Sequence, residues 1–128
     1  MILLTGGAYQ GKTAYLHEKI PGTVCTDGET CSFSEAEHAA CINHFHALIR
    51  RLFEAQEDPA AWTARYCDAH PDGIILLNET GCGIIPLDPA ERRLRELTGI
   101  CGCIIAAHAQ TVIRITCGIP SAIKGDLP

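Results

Sequence analysis

Eight residues near the start of the chain have the composition and spacing of a phosphate-binding loop. Residues 6–13 read G-G-A-Y-Q-G-K-T and match the Walker A pattern G-x-x-x-x-G-K-[ST]. Glycines let successive backbone N–H groups turn toward a phosphate, and a helix that follows adds its positive dipole end. We therefore expect ATP or GTP to bind at these residues: Gly6, Gly7, Ala8, Tyr9, Gln10, Gly11, Lys12 and Thr13.

Four side chains could act on a bound triphosphate. Lys12 can reach the β- and γ-phosphates, and the hydroxyl of Thr13 can ligate Mg²⁺. Asp27 and Glu79 follow predicted strands, and the carboxyl ends of strands are where α/β sheets bind ligands. We predict that Lys12, Asp27 and Glu79 are catalytic. The two carboxylates are also predicted to hold Mg²⁺ together with Thr13, although Asp27 could instead cap a helix and Glu79 could fix a loop.

Other polar side chains are open to more than one interpretation. Lys124 follows the last predicted strand and could border the nucleotide base, but a surface lysine fits equally well. His38 and Cys41 lie three residues apart on a predicted helix, a spacing that could hold zinc. His44 and His46 are two residues apart and would diverge on that helix. We favour ordinary, partly exposed histidines over a zinc site.

Apolar runs and turn residues alternate along the chain in a way that predicts alternating strands and helices. The predicted strands are residues 1–5, 23–26, 73–78 and 111–117, and the predicted helices are residues 12–20, 34–57, 60–70 and 89–109. Gly99 and Gly102 could interrupt the last helix, residues 80–83 form a flexible loop, and residues 118–120 end the last strand. The predicted fold is α/β, of the P-loop NTPase type (RecA-like), with a mostly parallel sheet and helices on both faces.

Composition limits the class of protein and of partner. The 128 residues suit one domain over residues 1–128, and a net charge of −5 without a basic run excludes nucleic acid as a main partner. No apolar stretch has the length of a membrane span, and no secretory leader precedes the first strand, so we expect a cytoplasmic protein. The eight cysteines include no C-x-x-C, and we interpret them as small apolar side chains in a reducing compartment.

Several stretches of the chain carry a family resemblance. Residues 2–13, I-L-L-T-G-G-A-Y-Q-G-K-T, and residues 78–86, N-E-T-G-C-G-I-I-P, are similar to I-L-V-T-G-G-A-R-S-G-K-S and N-E-V-G-x-G-I-V-P. These are motifs of the adenosylcobinamide kinase/adenosylcobinamide-phosphate guanylyltransferase family of cobalamin biosynthesis. Arg92, Arg95 and Gly99 match its next helix, and residues 118–124 match its closing G-x-P-x-x-x-K. Residues 27–30, D-G-E-T, could replace its D-C-L-T strand end.

The resemblance implies a homotrimeric enzyme that phosphorylates the aminopropanol hydroxyl of adenosylcobinamide and then transfers GMP from GTP through a histidine. The family's histidine segment, H-R-x-x-R-P, has no match here. We therefore expect a kinase without the guanylyl step, and we expect acidic neighbours such as Glu35 and Glu37 to keep the histidines charged and unreactive. A displaced histidine acceptor is one alternative. A non-catalytic, nucleotide-binding regulatory or assembly subunit is another.

Overall fold

Strands and helices alternate along the chain in the computed structural model, which describes residues 1–80 and 85–128. Within these ranges the strands are β1 (Ile2–Gly6), β2 (Thr26–Asp27), β3 (Cys41–Asn43), β4 (Ile74–Asn78), β5 (Thr111–Thr116) and β6 (Ile119–Lys124). The helices are α1 (Lys12–Lys19), α2 (Phe33–His38), α3 (Phe45–Glu54), α4 (Pro59–Ala69) and α5 (Pro89–His108).

The described strands form one sheet in the order β2-β3-β4-β1-β5-β6. Neighbours pair in parallel except β5 and β6, which are antiparallel. This topology confirms the predicted α/β fold with a mostly parallel sheet.

The central strands are apolar throughout because helices cover both of their faces. Successive side chains of β4 alternate between the faces: Ile75 and Leu77 pack with α2–α5, and Leu76 packs with Tyr15 and Leu16 of α1. The same alternation places the helices on both faces, as predicted. The parallel pairing of β1 with β4 aligns the carboxyl ends of the two strands, where Gly6 pairs with Asn78.

The predicted helix over residues 34–57 is wrong, because the chain forms α2, β3 and α3 there. Ala39 is extended at φ −76° and ψ 133°, and His44 adopts φ 52°, so the backbone leaves the helical region twice. The apolar spacing that suggested one helix instead buries Ile42 in a strand and Phe45 in the next helix. Short apolar runs of this kind fit the periodicity of a helix as well as that of a strand.

Two further strand predictions need correction. Residues 23–26 were predicted as the second strand, but β2 is Thr26–Asp27 and Val24 is exposed. Residues 118–120 do not end the sheet: Cys117 (φ 51°) and Gly118 (φ 77°) form a tight turn into β6. Pro120 is tolerated there because β6 is an edge strand of the described sheet.

The cysteines are not all simple apolar side chains. Cys25 and Cys41 form a disulfide. Sequence analysis did not predict it, because it placed Cys41 in a helix instead of in β3. Parallel pairing of Thr26 with Ile42 places the two preceding cysteines side by side, 4.6 Å apart at Cα. Cys31, Cys67 and Cys101 are free and buried, as expected of small apolar residues.

The remaining predictions concern α5 and the segment before it. The helix is continuous through Gly99 and Gly102, and Asp88 caps it by accepting a hydrogen bond from the Ala90 amide at 2.9 Å. Most of the predicted loop at residues 80–83, and residues 81–84 of the family motif, lie outside the described residues. Among the described residues, no helix combines the length and apolar character that a bilayer span requires.

Candidate nucleotide-binding site

The loop between β1 and α1 directs backbone amides into a pocket. Gly11 is the N-cap of α1 at φ 97°, a conformation that suits glycine, and it has no side chain to cap the first amides. The first turn of α1 contains no acidic residue. The unsatisfied amides and the positive dipole end are therefore available to an anion.

Contacts with the β5–β6 turn fix the shape of this loop. Oε1 of the Gln10 side chain accepts a hydrogen bond from the Cys117 amide at 2.6 Å. The backbone carbonyl of Gln10 accepts another from the Gly118 amide at 2.8 Å. Gly6 has φ 147°, and a Cβ there would meet the carbonyl oxygen of Ile115. These contacts hold the loop against β5 and the β5–β6 turn.

Lys12 is buried at the floor of the loop. Its ammonium donates hydrogen bonds to the carbonyls of Gly7 at 2.7 Å and Gly6 at 3.3 Å. Burial lowers the pKa of Lys12, and the negative charge of Glu79 opposes that shift. A phosphate entering the loop would meet a cation that is already positioned but poorly solvated.

A pocket of about 510 Å³ opens beside the loop. This volume is in the usual range for small-molecule sites. Its described lining consists of Ala8, Tyr9, Gln10, Gly11, Lys12, Thr13, Ala14, Glu29, Asn43, His44, His46 and Asn78. The predicted loop residues from Ala8 to Thr13 thus face the pocket, while Gly6 and Gly7 supply the carbonyls beneath Lys12.

A polar cluster borders the opposite side of the pocket: Glu29 and His44 line it, and Asp27 contacts both residues without being part of the described lining. Oδ1 of Asp27 accepts hydrogen bonds from Nδ1 of His44 and from the Glu29 amide, both at 2.9 Å. The Glu29 amide first, and His44 second, lower the pKa of Asp27 by stabilising its carboxylate. Potential ligand atoms of Asp27, Glu29 and His44 lie within 4.8 Å of one another. Sequence analysis did not select Glu29, although it belongs to the same D-G-E-T segment.

The donors on the two sides of the pocket fit a magnesium ion. Mg²⁺ prefers oxygen ligands and usually keeps several waters, so it needs only one or two protein groups besides phosphate. Thr13 supplies a hydroxyl at the start of α1, and Nδ2 of Asn43 lies 3.5 Å from it across the pocket. Asp27 and Glu29 supply carboxylates on the Asn43 side. The metal role predicted for Thr13 and Asp27 stays a prediction that this arrangement supports.

Glu79 lies at the expected place but is already engaged. Its amide donates to the Gly6 carbonyl at 2.9 Å, which places it directly after β4 and beside the loop. Its two carboxylate oxygens accept hydrogen bonds from Arg114, from Nε at 2.8 Å and from Nη2 at 3.0 Å. Direct binding of Mg²⁺ would require Glu79 to share or leave Arg114. Its catalytic and metal roles therefore stay predictions.

The structure does not bring Lys124 to the loop. Because β6 is antiparallel to β5, Lys124 pairs with Val112 near the amino end of β5, at the sheet edge opposite the loop. Its ammonium donates to the carbonyls of Ala106 and Ala107 at 2.9 and 3.3 Å, at the end of α5. A cation there stabilises the helix terminus. We therefore do not include Lys124 among the residues proposed to contact the nucleotide base.

His46 is a pocket residue that sequence analysis did not select for the nucleotide site. It lies in the first turn of α3, half-buried, with Nε2 3.5 Å from Nδ2 of Asn78. Burial first, and then the charges of His44 and Lys12, lower its pKa. The expectation that acidic neighbours keep the histidines charged is therefore wrong for His46. Recognising β3 would have placed Asn43 and His44 at a strand end, with His46 two residues further on at the start of α3.

The zinc pair is also excluded by the position of β3. His38 ends α2, where its Nδ1 contacts the Ser34 carbonyl at 2.8 Å. Cys41 lies in β3 and is bonded to Cys25. The two side chains do not share a helical face, which supports the interpretation of His38 as an ordinary exposed histidine.

Comparison with known protein families gives a match that runs from the end of β3 into β6. The family model described as cobinamide kinase / cobinamide phosphate guanyltransferase matches residues 43–123. The match begins at Asn43 and includes His46, Asn78, Glu79 and Arg114. The phosphate loop and the D-G-E-T segment lie outside it, so the support for them is the geometry itself. A search of curated proteins gave no match.

Proposed function

We propose, from the premise that the chain belongs to the cobinamide kinase / cobinamide phosphate guanyltransferase family, that it transfers the γ-phosphate of ATP or GTP to the aminopropanol hydroxyl of cobinamide. We propose further that it does so without the transfer of GMP. Members of this family are enzymes of cobalamin biosynthesis that act on nucleotide substrates.

The position of Lys12 is the observation that carries the proposal. Its ammonium is buried and donates to the Gly7 carbonyl at 2.7 Å, and the first turn of α1 beside it has no side-chain cap. Phosphoryl transfer passes through a state whose charge is spread over the equatorial oxygens, and catalysis is mainly positioning and charge stabilisation. Lys12 and the loop amides can supply both functions.

Thr13, Asp27 and Glu29 are the residues that would hold Mg²⁺, with Glu79 as a further ligand if Arg114 releases it. When bound, Mg²⁺ would neutralise the negative charge that develops on the phosphates during transfer. The chain's own contribution is to orient these oxygens. His44 holds the Asp27 carboxylate, and Asn43 faces the Thr13 hydroxyl.

One feature supports a kinase without guanylyl transfer: the sequence has no H-R-x-x-R-P segment to supply the histidine acceptor with its basic neighbours.

Calorimetry followed by product analysis tests the proposal. ATP and GTP are titrated into the chain with Mg²⁺, cobinamide is added, and the corrinoid is analysed by mass spectrometry. We expect binding of at least one nucleotide and formation of phosphorylated cobinamide. Nucleotide binding without any phosphorylated corrinoid would reject the kinase and favour a non-catalytic binding subunit.

Assembly and location complete the proposal. We expect a homotrimer, as the family resemblance implies, and we expect it in the cytoplasm because its nucleotide substrates are found there. The exposed Ile119 and Ile123 on the edge strand β6 give the monomer a reason to associate. Sedimentation at tens of micromolar should therefore show a species about three times the monomer mass, on the scale of ordinary subunit affinities. A monomer alone at that concentration would contradict the expected assembly.

A further inference from the structure

The Cys25–Cys41 disulfide joins the two strands that carry the polar side of the nucleotide pocket. Cys25 directly precedes β2, and Cys41 is the first residue of β3. The two strands are parallel, and Asp27 pairs with Asn43 at their carboxyl ends. The disulfide therefore lies two residues, about 7 Å of extended chain, from each of these polar residues.

Few other bonds hold the amino end of β2. This strand has two residues, lies at an edge of the described sheet and pairs with β3 over two residue pairs. Val24, directly before the disulfide, is exposed. A short edge strand with little buried surface opens locally at low cost in free energy. The disulfide is the covalent bond that opposes this opening.

The disulfide also closes a loop that contains both carboxylates of the candidate metal cluster. Asp27 and Glu29 lie between the two cysteines, which are 16 positions apart, whereas Asn43 and His44 follow Cys41. The hydrogen bond from Nδ1 of His44 to Oδ1 of Asp27, at 2.9 Å, joins the two groups. The pairing of β2 with β3 thus decides whether the carboxylates stay beside Asn43 and His44.

The phosphate loop is held independently of this disulfide. Gln10 accepts hydrogen bonds from the amides of Cys117 and Gly118, and β5 lies on the other side of β1 from β3. Lys12 is positioned by two carbonyls of the loop itself. A change at the disulfide should therefore alter the binding that depends on the metal ion and leave the direct contacts with phosphate intact.

The two cysteines differ in their access to a reductant. Cys25 is partly buried, whereas Cys41 is 1% exposed. Thiol–disulfide exchange requires access for the attacking thiolate, so exchange begins at Cys25. In the reducing compartment proposed above, disulfides are rare, and those that form are usually redox-sensing or catalytic. The enclosure of Cys41 does not suit a catalytic cycle, which leaves sensing.

We propose that the Cys25–Cys41 disulfide is a redox switch that sets the Mg²⁺-dependent affinity of the pocket for its nucleotide, high when oxidised and low when reduced by a dithiol. A thiolate of the dithiol attacks Sγ of Cys25, the bond to Cys41 breaks, and Cys41 takes up a proton. The second thiol of the reductant then displaces Cys25, so two electrons and two protons reach the protein and the reductant becomes a disulfide. This inference rests on the nucleotide binding of the proposed function and not on its acceptor.

Calorimetry on the oxidised and reduced parent tests the switch. The reduced form is prepared with dithiothreitol, which is then removed without air, and thiols are counted in denaturant. Reduction should expose two more thiols. We expect the reduced form to bind ATP or GTP about tenfold more weakly with Mg²⁺, because the population with β2 paired falls. Without Mg²⁺, in EDTA, the two forms should bind equally. Thermal unfolding confirms that both are folded at the titration temperature.

Cys25→Ser should bind like the reduced parent and ignore dithiothreitol, whereas Cys103→Ser, at an exposed free cysteine, should keep the parent's response. The two forms of the parent decide the matter even where Cys25→Ser does not fold. Equal affinities of both forms with Mg²⁺, equal weakening with and without Mg²⁺, or no change in the thiol count overturns this inference alone. A parent that binds no nucleotide in either form overturns the proposed function and this inference together.

Discussion

The two sides of the nucleotide pocket are held in place by different kinds of bond. On the loop side, backbone groups of Gln10 and Gly118 and the close approach of Gly6 to Ile115 fix the geometry. On the β2–β3 side, the Asp27–His44 hydrogen bond and the Cys25–Cys41 disulfide do so. From this comparison we expect the loop side to resist changes of redox state, whereas the side that carries Asp27 and Glu29 should respond to both pH and redox state.

Removing the Lys12 ammonium should have the largest effect. Lys12→Ala should weaken ATP and GTP binding about 100-fold or more, because a buried charge-assisted contact with phosphate is lost. Calorimetric titration of each nucleotide measures the effect. Lys19→Ala, which removes an exposed lysine at the other end of α1, serves as the control. Equal affinities of Lys12→Ala and the parent would show that the loop is not the nucleotide site.

A methyl group at Gly6 should break the loop side of the comparison. Gly6→Ala places a Cβ against the Ile115 carbonyl oxygen at φ 147°, and we expect a loss of about 3 kcal/mol in unfolding free energy. Gly7→Ala is the matched control, since its Cβ would make only an ordinary 3.5 Å contact with Gln10. Urea denaturation compares the two variants. Similar stabilities would mean that the loop is not held by close backbone packing.

Opening the disulfide should loosen the other side. Cys25→Ala releases a constraint between residues 16 apart in sequence, and we expect a loss of about 2–3 kcal/mol in unfolding free energy. Cys103→Ala, an exposed free cysteine on α5, should have little effect. A reductant should destabilise the parent but leave Cys25→Ala unchanged. If reductant acts equally on both proteins, the disulfide does not hold β2 to β3.

The smallest effect should come from Asp27 and should depend on pH. The pKa of Asp27 is lowered in the folded state, so its carboxylate stabilises the fold at pH values above its unfolded pKa of about 4. This stabilisation is lost as the pH falls through the pKa of Asp27 in the folded state. Asp27→Asn should therefore be less stable than the parent at about pH 5, with the difference shrinking in stronger acid. Asp72→Asn, in the exposed turn before β4, is the matched carboxylate-to-amide control. A difference that grows on acidification would contradict the assigned contacts.

The loop side could be predicted from sequence because its signals are local. The glycines, Lys12 and Thr13 lie within eight consecutive residues and directly follow an apolar strand. The run at residues 74–78 was equally clear, because a strand buried on both faces is apolar without alternation.

The β2–β3 side could not be predicted in the same way. β3 has three residues, and its Ile42 continues an apolar spacing that also fits a helix through Phe45 and Ile49. The turn at His44 uses a positive φ without glycine, so no residue type marks it. Glu29, Asn43 and His46 come together only through the pairing of β2, β3 and β4, which is a tertiary property.

The central claim is that the pocket transfers the γ-phosphate of a nucleotide and not its GMP group. GTP labelled separately at the α- and γ-phosphates can be incubated with the chain, Mg²⁺ and cobinamide, after which protein, corrinoid and nucleotide are separated. The account predicts γ-label on the corrinoid and α-label only in free nucleotide. Acid-labile, base-stable α-label on the denatured protein, lost in His46→Asn, would contradict it and assign the full two-step activity to this chain.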